Sequence, residues 1–146
     1  MNSMIFLELG QDPNCFVEKT GRSTLHSLAL TCKSVKVVQL LWKRGADPNG
    51  PDGLGSTTLH DICNSYVDGM DSAEMLFKFC HDESRPVKIN ARDRSGNTPL
   101  HVALKTRYIN IVELLLRKGA DPTLANDKGE TPLHIIAVAS CCPPDV

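Results

Sequence analysis

The chain of 146 residues has few aromatic side chains, 5% of the total, and no apolar run approaching the roughly 18 residues of a membrane span. Its formal net charge is −1, so no excess of one sign attracts nucleic acid or an anionic membrane. The first ten residues lack a basic segment and carry Glu8, unlike a secretory signal peptide. We therefore predict an intracellular protein, cytoplasmic or nuclear, with an aliphatic core and no nucleic-acid or membrane partner.

The sequence also lacks the short motifs that carry enzyme chemistry. It has no Gly-x-Ser-x-Gly, no phosphate-binding glycine loop and no His-Glu-x-x-His. Its six cysteines contain no Cys-x-x-Cys pair, which favours thiols buried as small apolar groups over a zinc site. Cys63 lies three residues after His60 and leaves a cysteine or metal enzyme as a distant alternative. We predict no catalytic residue, no metal, no cofactor and no small-molecule substrate.

What the sequence does contain is a repeated tetrapeptide that ends in histidine. The histidines are 34 (26 to 60), 41 (60 to 101) and 33 (101 to 134) residues apart, and a glycine stands five residues before each. A second motif occurs at 40–48 and again at 114–122. It consists of two apolar residues, three further residues and Gly-Ala-Asp-Pro. Internal similarity at this period predicts stacked structural repeats. The four tetrapeptides are Ser23-Thr24-Leu25-His26, Thr57-Thr58-Leu59-His60, Thr98-Pro99-Leu100-His101 and Thr131-Pro132-Leu133-His134, and the glycines are Gly21, Gly55, Gly96 and Gly129.

The combination of Gly-x-Thr-Pro-Leu-His, an apolar helix and Gly-Ala-Asp-Pro resembles the ankyrin repeat over nearly the whole chain. Particular runs also resemble the expanded ankyrin arrays of insects and of their viruses. The resemblance implies an all-α solenoid of helix-turn-helix units joined by β-turn or hairpin loops. It also implies that the chain binds another protein.

Local signals agree with this architecture. The glycines before each histidine suit tight turns that need a permissive φ, and Gly45 and Gly119 stand where a glycine is expected to end a second helix. We expect Thr24, Thr58, Thr98 and Thr131 to cap the first helices. The predicted first helices are Leu25–Cys32, Leu59–Tyr66, Leu100–Arg107 and Leu133–Ser140, and the second helices are Val35–Arg44, Ser72–Cys80 and Asn110–Lys118.

We predict one domain over 1–146 with incomplete repeats at both ends. Residues 1–17 supply only a second helix, and 126–146 supply only a first helix. Apolar residues at both ends then face water, either because the chain is part of a longer array or because the ends bind something. Between them lie full repeats at 18–51, 52–92 and 93–125.

The repeat at 52–92 carries extra residues. We place most of them near 81–87, where a polar stretch with a proline predicts an exposed loop outside the packing of the repeats. Loop length enters closure entropy only logarithmically, so shortening this loop should change stability by less than about 1 kcal/mol.

The recurring histidines lie about one repeat apart, on the order of 10 Å, which is too far to share one metal ion. We expect them to bind turn backbone in their own or the next repeat.

Positions that differ between the copies are the candidates for partner contacts. The resemblance implies that they form the concave binding surface of the array, while unconstrained drift of surface positions is the alternative. The cations Arg92, Arg94, Lys105 and Arg107 could meet an acidic segment of a partner, or form an ordinary solvated face. The predicted partner-binding residues are Leu54, Ser56, Asn64, Ser65, Arg92, Arg94, Ser95, Asn97, Lys105, Thr106, Asp127 and Lys128.

The sequence therefore predicts a scaffold that presents a rigid concave surface to a protein partner. An adaptor or inhibitor subunit is the alternative: a ubiquitin-ligase substrate adaptor, or a transcription-factor inhibitor resembling I-kappa-B.

Overall fold

The computed structural model describes residues 10, 12–17, 21–31, 35–65, 69–80 and 85–141. These residues form seven helices and one antiparallel pair of two-residue strands, in which Phe16 lies opposite Ser23. The predicted helical solenoid with hairpin loops is confirmed. The second helix predicted within 1–17 falls largely outside the described residues. The strands are β1 (Phe16–Val17) and β2 (Arg22–Ser23), and the helices are α1 (Thr24–Thr31), α2 (Val35–Lys43), α3 (Thr58–Cys63), α4 (Met70–Phe79), α5 (Pro99–Thr106), α6 (Ile109–Arg117) and α7 (Pro132–Cys141).

The helices form two parallel layers. The first helices α1, α3, α5 and α7 pack in succession, and the second helices α2, α4 and α6 form the layer behind them. Leu25, Leu59 and Leu100 occupy the same repeat position and are all buried between neighbouring repeats. The core is aliphatic, as the shortage of aromatic residues predicts. No helix in the described part of the chain is long and apolar enough to cross a bilayer.

All four first helices begin one residue earlier than the predicted bounds. Thr57 is the N-cap of α3, so Thr58 occupies the first helical position, as Pro99 does in α5. Thr24 likewise opens α1 within the helix. The capping roles predicted for Thr24 and Thr58 were therefore wrong. The reason is the histidine, whose ring contacts the cap residue three positions before it and so fixes where the helix begins.

Helix α3 is also shorter than expected. It ends at Cys63, and Asn64 and Ser65 lie beyond it, although we predicted a helix to Tyr66. Gly69 then follows in close contact with α3: a Cβ on Gly69 would lie 2.8 Å from the carbonyl oxygen of Ile62. Asn64 and Ser65 therefore lie outside the helix, and Tyr66 lies outside the described residues.

The described part of the insertion is packed, contrary to the prediction. Arg85 donates hydrogen bonds to the carbonyl oxygens of Ala46 (3.2 Å) and Trp42 (3.3 Å), and its guanidinium lies 4.4 Å from the centre of the Trp42 ring. Val87 packs against the core. The expectation of a loop outside the packing was wrong for 85–87, because these residues cover the end of helix α2. Residues 81–84 lie outside the described residues.

Asparagine side chains keep this region in register with the other repeats. Asn49 donates to the carbonyl oxygen of Pro86 (2.8 Å) and accepts from the amide of Lys88 (2.7 Å). Asn14 makes the equivalent pair of bonds one repeat earlier, to Gly45 and Asp47. The loop at Pro86–Lys88 therefore matches the loop at Gly45–Asp47, and the extra residues lie before Pro86.

Candidate protein-binding surface

Three of the hairpin tips are each built by one acidic or amide side chain. Asp52 accepts hydrogen bonds from the amides of Leu54 (2.8 Å) and Ser56 (2.9 Å) through the same carboxylate oxygen. Asp93 and Asn126 bind the equivalent amides in the next two tips. Sequence reasoning missed these residues, although their position three residues before each turn glycine was a usable signal.

Consecutive tips are joined through the main chain. The amide of Arg94 donates to the carbonyl oxygen of Leu54 (3.1 Å), and the amide of Asp127 donates to that of Ser95 (3.0 Å). At Gly96, with φ +74°, a Cβ would lie 2.7 Å from the amide nitrogen of Asp127, so only glycine permits this approach. The tips are thus held by backbone bonds, while their side chains remain exposed.

Buried histidines form a second set of bonds between repeats. The Nδ1 atom of His60 lies 3.1 Å from the amide nitrogen of Thr57, and Nε2 lies 2.9 Å from the carbonyl oxygen of Asn97 in the next repeat. An amide only donates and a carbonyl only accepts, so the ring is neutral with its proton on Nε2. His26 and His101 make the same bonds to the carbonyls of Ser56 and Glu130. The predicted contact with turn backbone is confirmed.

Burial lowers the pKa of His60 below 6.5, and this effect exceeds the opposite influence of the Asn97 carbonyl and nearby carboxylates. Below about pH 6.5, His60 in the unfolded chain therefore binds a proton more readily than His60 in the folded chain does. The contribution of His60 to stability is full above pH 6.5 and falls as the pH drops below that value. Urea unfolding between pH 7.5 and 5 should show this loss.

The contribution of His60 is isolated by comparing the parent with His60→Gln. Burial raises the pKa of Asp61, which opposes the trend, so the pH dependence of the parent alone does not identify the group. The difference between the two proteins should shrink as the pH falls. His134→Gln, at the exposed copy of the motif, is the matched control. A difference independent of pH would contradict the assignment.

The structure divides the predicted partner-binding residues into three groups. Asn97 is buried and accepts a hydrogen bond from Asn126 (3.0 Å), and the Thr106 hydroxyl donates to the Cys63 carbonyl (3.0 Å). Both side chains serve the array itself and offer little surface to a partner. Ser56 and Ser65 are half-buried. The exposed members are Leu54, Asn64, Arg92, Arg94, Ser95, Lys105, Asp127 and Lys128.

Comparison with known proteins agrees with the geometry. A family profile described as "Ankyrin repeats (many copies)" matches residues 81–136, and one described as "Ankyrin repeat" matches residues 20–53; together they cover more than half of the chain. This chain belongs to the ankyrin-repeat family. The unit between the two matches has the same Asx-built tip and histidine bonds, so the ankyrin array is continuous through it.

Individual relatives differ greatly in length. An ankyrin repeat protein of fowlpox virus is 28% identical over 92% of this chain and 84% of its own length. The human NF-kappa-B inhibitor zeta is 44% identical over 77% of the chain, and the zebrafish neurogenic locus notch homolog protein 1 is 29% identical over 92%. The chain spans only 16% and 5% of those two proteins. The similarity to insect and insect-virus arrays remains a prediction.

The four predicted cations of the ankyrin array do not form one cluster. Arg92 pairs with Asp127 of the next tip at 3.3 Å. Arg107 lies at the other end of α5 and donates to the carbonyl of Ala139 (3.2 Å). Arg94 and Lys105 form no ion pair with any described residue, and Lys105 only approaches the side-chain oxygen of Asn97 at 3.5 Å. No described carboxylate lies within ion-pair distance of either cation, although Lys105 still interacts electrostatically with Glu130 at longer range.

One repeat earlier the charges are already compensated. Arg22 lies 3.3 Å from a carboxylate oxygen of Asp61 and 3.7 Å from one of Asp52, both buried side chains of the next repeat. Burial raises the pKa of Asp61, and the Arg22 guanidinium opposes that rise. This cluster ties two repeats together.

The described thiols of the core do not suit catalysis. Burial raises the pKa of Cys63 far above its usual range and that of Cys80 to about 12, so both are protonated at neutral pH. Both ring nitrogens of His60, the nearest candidate base, already form hydrogen bonds. Among the described residues, no three side chains of the metal-binding types converge on one point.

Proposed function

We propose that the chain is an intracellular protein–protein interaction module, whose partner contacts the exposed tip and first-helix residues of the ankyrin array. One observation carries the proposal: the tips are fixed to each other by backbone bonds, while the side chains of Leu54, Arg94 and Ser95 are exposed. Leu54, a large apolar residue with 66% of its surface exposed, lies at one of these tips. A surface that is rigid before binding loses little entropy when the partner arrives.

The charges indicate the chemistry of the partner. Arg94 and Lys105 form no ion pair in the described array, although Lys105 interacts electrostatically with Glu130. The Arg94 amide is bonded to the Leu54 carbonyl, so a cation and an exposed leucine are adjacent. This combination suits an acidic segment that also carries an apolar side chain. Complementary charge speeds association and orients such a segment more than it adds affinity.

Charge reversal tests the surface. The variant R94E/K105E should melt like the parent, because exposed charges contribute at most about 1 kcal/mol, and it should lose the acidic partners that the parent retains from cell extract. Binding that remains should respond less to added salt. The partners are identified by mass spectrometry of the retained proteins.

The matched control is K78E/R117E, which makes the same change in charge on exposed residues of the second helices. It should retain the partners of the parent. If R94E/K105E keeps every partner, or if both variants lose the same ones, the surface around Arg94 is not the binding site.

A second candidate function rests on the 44% identity to the NF-kappa-B inhibitor zeta over 77% of the chain. On this hypothesis the chain inhibits a transcription factor by binding it. Titration of an NF-kappa-B subunit with the purified chain separates this from binding of an unrelated partner. A ubiquitin-ligase adaptor role would instead place ubiquitin-ligase subunits among the proteins that the chain retains from cell extract.

A further inference from the structure

Large exposed apolar side chains are concentrated on α6 and α7. Leu25, Leu59 and Leu100 expose between 0% and 3% of their surface, whereas Leu133 at the same repeat position exposes 69%. Ile136 and Val138 on α7, and Ile109 and Leu116 on α6, are also exposed. We call Ile109, Leu116, Leu133, His134 and Ile136 the α6–α7 face.

The histidine of this face lacks a bond that its counterparts make. In His26, His60 and His101 the Nε2 atom donates to a backbone carbonyl of the following repeat. His134 has the same bonds to Thr131 through Nδ1, at 3.1 Å and 2.8 Å, and no partner for Nε2 among the described residues. The ring of His134 is therefore held as in the other repeats, but its Nε2 atom donates to no described residue.

The second helices show what covers the equivalent of Leu116. Trp42, near the end of α2, lies under Arg85, and Phe77, near the end of α4, lies under Lys118, 5.5 Å from the ring centre. Each cation belongs to the repeat that follows the aromatic ring it covers. Arg85 immediately precedes Pro86, and Lys118 immediately precedes Gly119 at the equivalent position. Leu116 occupies this position in α6 and is 46% exposed. A basic side chain from a further repeat would cover it with its aliphatic stem.

We infer that the α6–α7 face binds a further ankyrin-type repeat. That repeat must supply a turn carbonyl for Nε2 of His134, an apolar helix over Leu133 and Ile136, and a basic residue before its loop over Leu116. The face continues the interfaces between α3 and α5 and between α4 and α6, which are built in this way. A second copy joined through the same face is the alternative occupant; it offers its own α6–α7 face rather than the turn carbonyl that a following repeat presents to His26, His60 and His101.

This inference concerns a different surface from the tip residues around Arg94, so either proposal can fail alone. The test extends the chain: residues 1–139 are followed by a second copy of 107–141, which places the needed carbonyl, helix and lysine in register. The extended protein should melt roughly 5 °C or more above the full-length parent. Leu133→Ala should leave the melting temperature of the parent unchanged within error and lower that of the extended protein by a comparable amount.

Two results would overturn the inference. The first is an extended protein in which Leu133→Ala remains without effect, because the added repeat then does not lie on the face. The second is a parent that light scattering shows to be a dimer and that Leu133→Ala converts to a monomer, because a second copy then occupies the face.

Discussion

Replacing Leu100 by alanine is expected to lower the free energy of unfolding by about 2–5 kcal/mol. The side chain is 1% exposed and lies in the main core cluster, where the neighbouring repeats cannot collapse fully around the cavity. Urea unfolding at pH 7.5 measures the loss.

The chain supplies its own control for this experiment. Leu133 lies in the same motif on α7 and is exposed, so Leu133→Ala should change the free energy of unfolding by no more than about 0.5 kcal/mol. Equal losses from the two variants would show that burial in the array is not what makes the repeated leucine important.

Replacing Arg85 by alanine is expected to cost about 2–4 kcal/mol. The guanidinium donates to two backbone carbonyls and lies over the Trp42 ring, and hydrogen bonds from charged groups contribute more than neutral ones. Deleting 81–87 would remove this side chain together with Val87. The deletion should therefore lower the free energy of unfolding by more than the roughly 1 kcal/mol that loop length alone suggests.

Two further variants separate the contributions. Arg92→Ala breaks only an exposed ion pair and should cost less than about 1 kcal/mol. Arg85→Lys keeps the positive charge over Trp42 but cannot donate to both carbonyls as a guanidinium does. Its loss of unfolding free energy should therefore lie between the losses of Arg85→Ala and Arg92→Ala. Equal stability of Arg85→Ala and Arg92→Ala in urea unfolding would refute the role of Arg85.

The repeated motif was sufficient to predict the helices, the buried leucines and the bonds of the histidines. These features depend on short-range patterns that recur in the chain, and three copies of a Leu-His pair in equivalent surroundings must pack in the same way. The start of α3 was harder to predict, because Thr57 and Thr58 are both good caps and only the position of the His60 ring distinguishes them.

The remaining errors arose where side chains act between repeats. The polar sequence before Val87 gave no sign that Arg85 would meet Trp42, 43 residues away. Asn97 and Thr106 vary between the copies as surface residues do, yet the folded array uses both side chains for contacts with neighbouring repeats. Variation within one chain therefore does not distinguish exposed positions from contacts particular to one pair of repeats.

The backbone bonds between tips have an evolutionary consequence. The carbonyl of Leu54, the amide of Arg94 and the carbonyl of Ser95 join the repeats whatever side chains those residues carry. Mutation can therefore alter the chemistry of the surface one tip at a time without first passing through a less stable intermediate. A lineage of such proteins can change partners faster than it changes its fold, and its members should differ most at these tips.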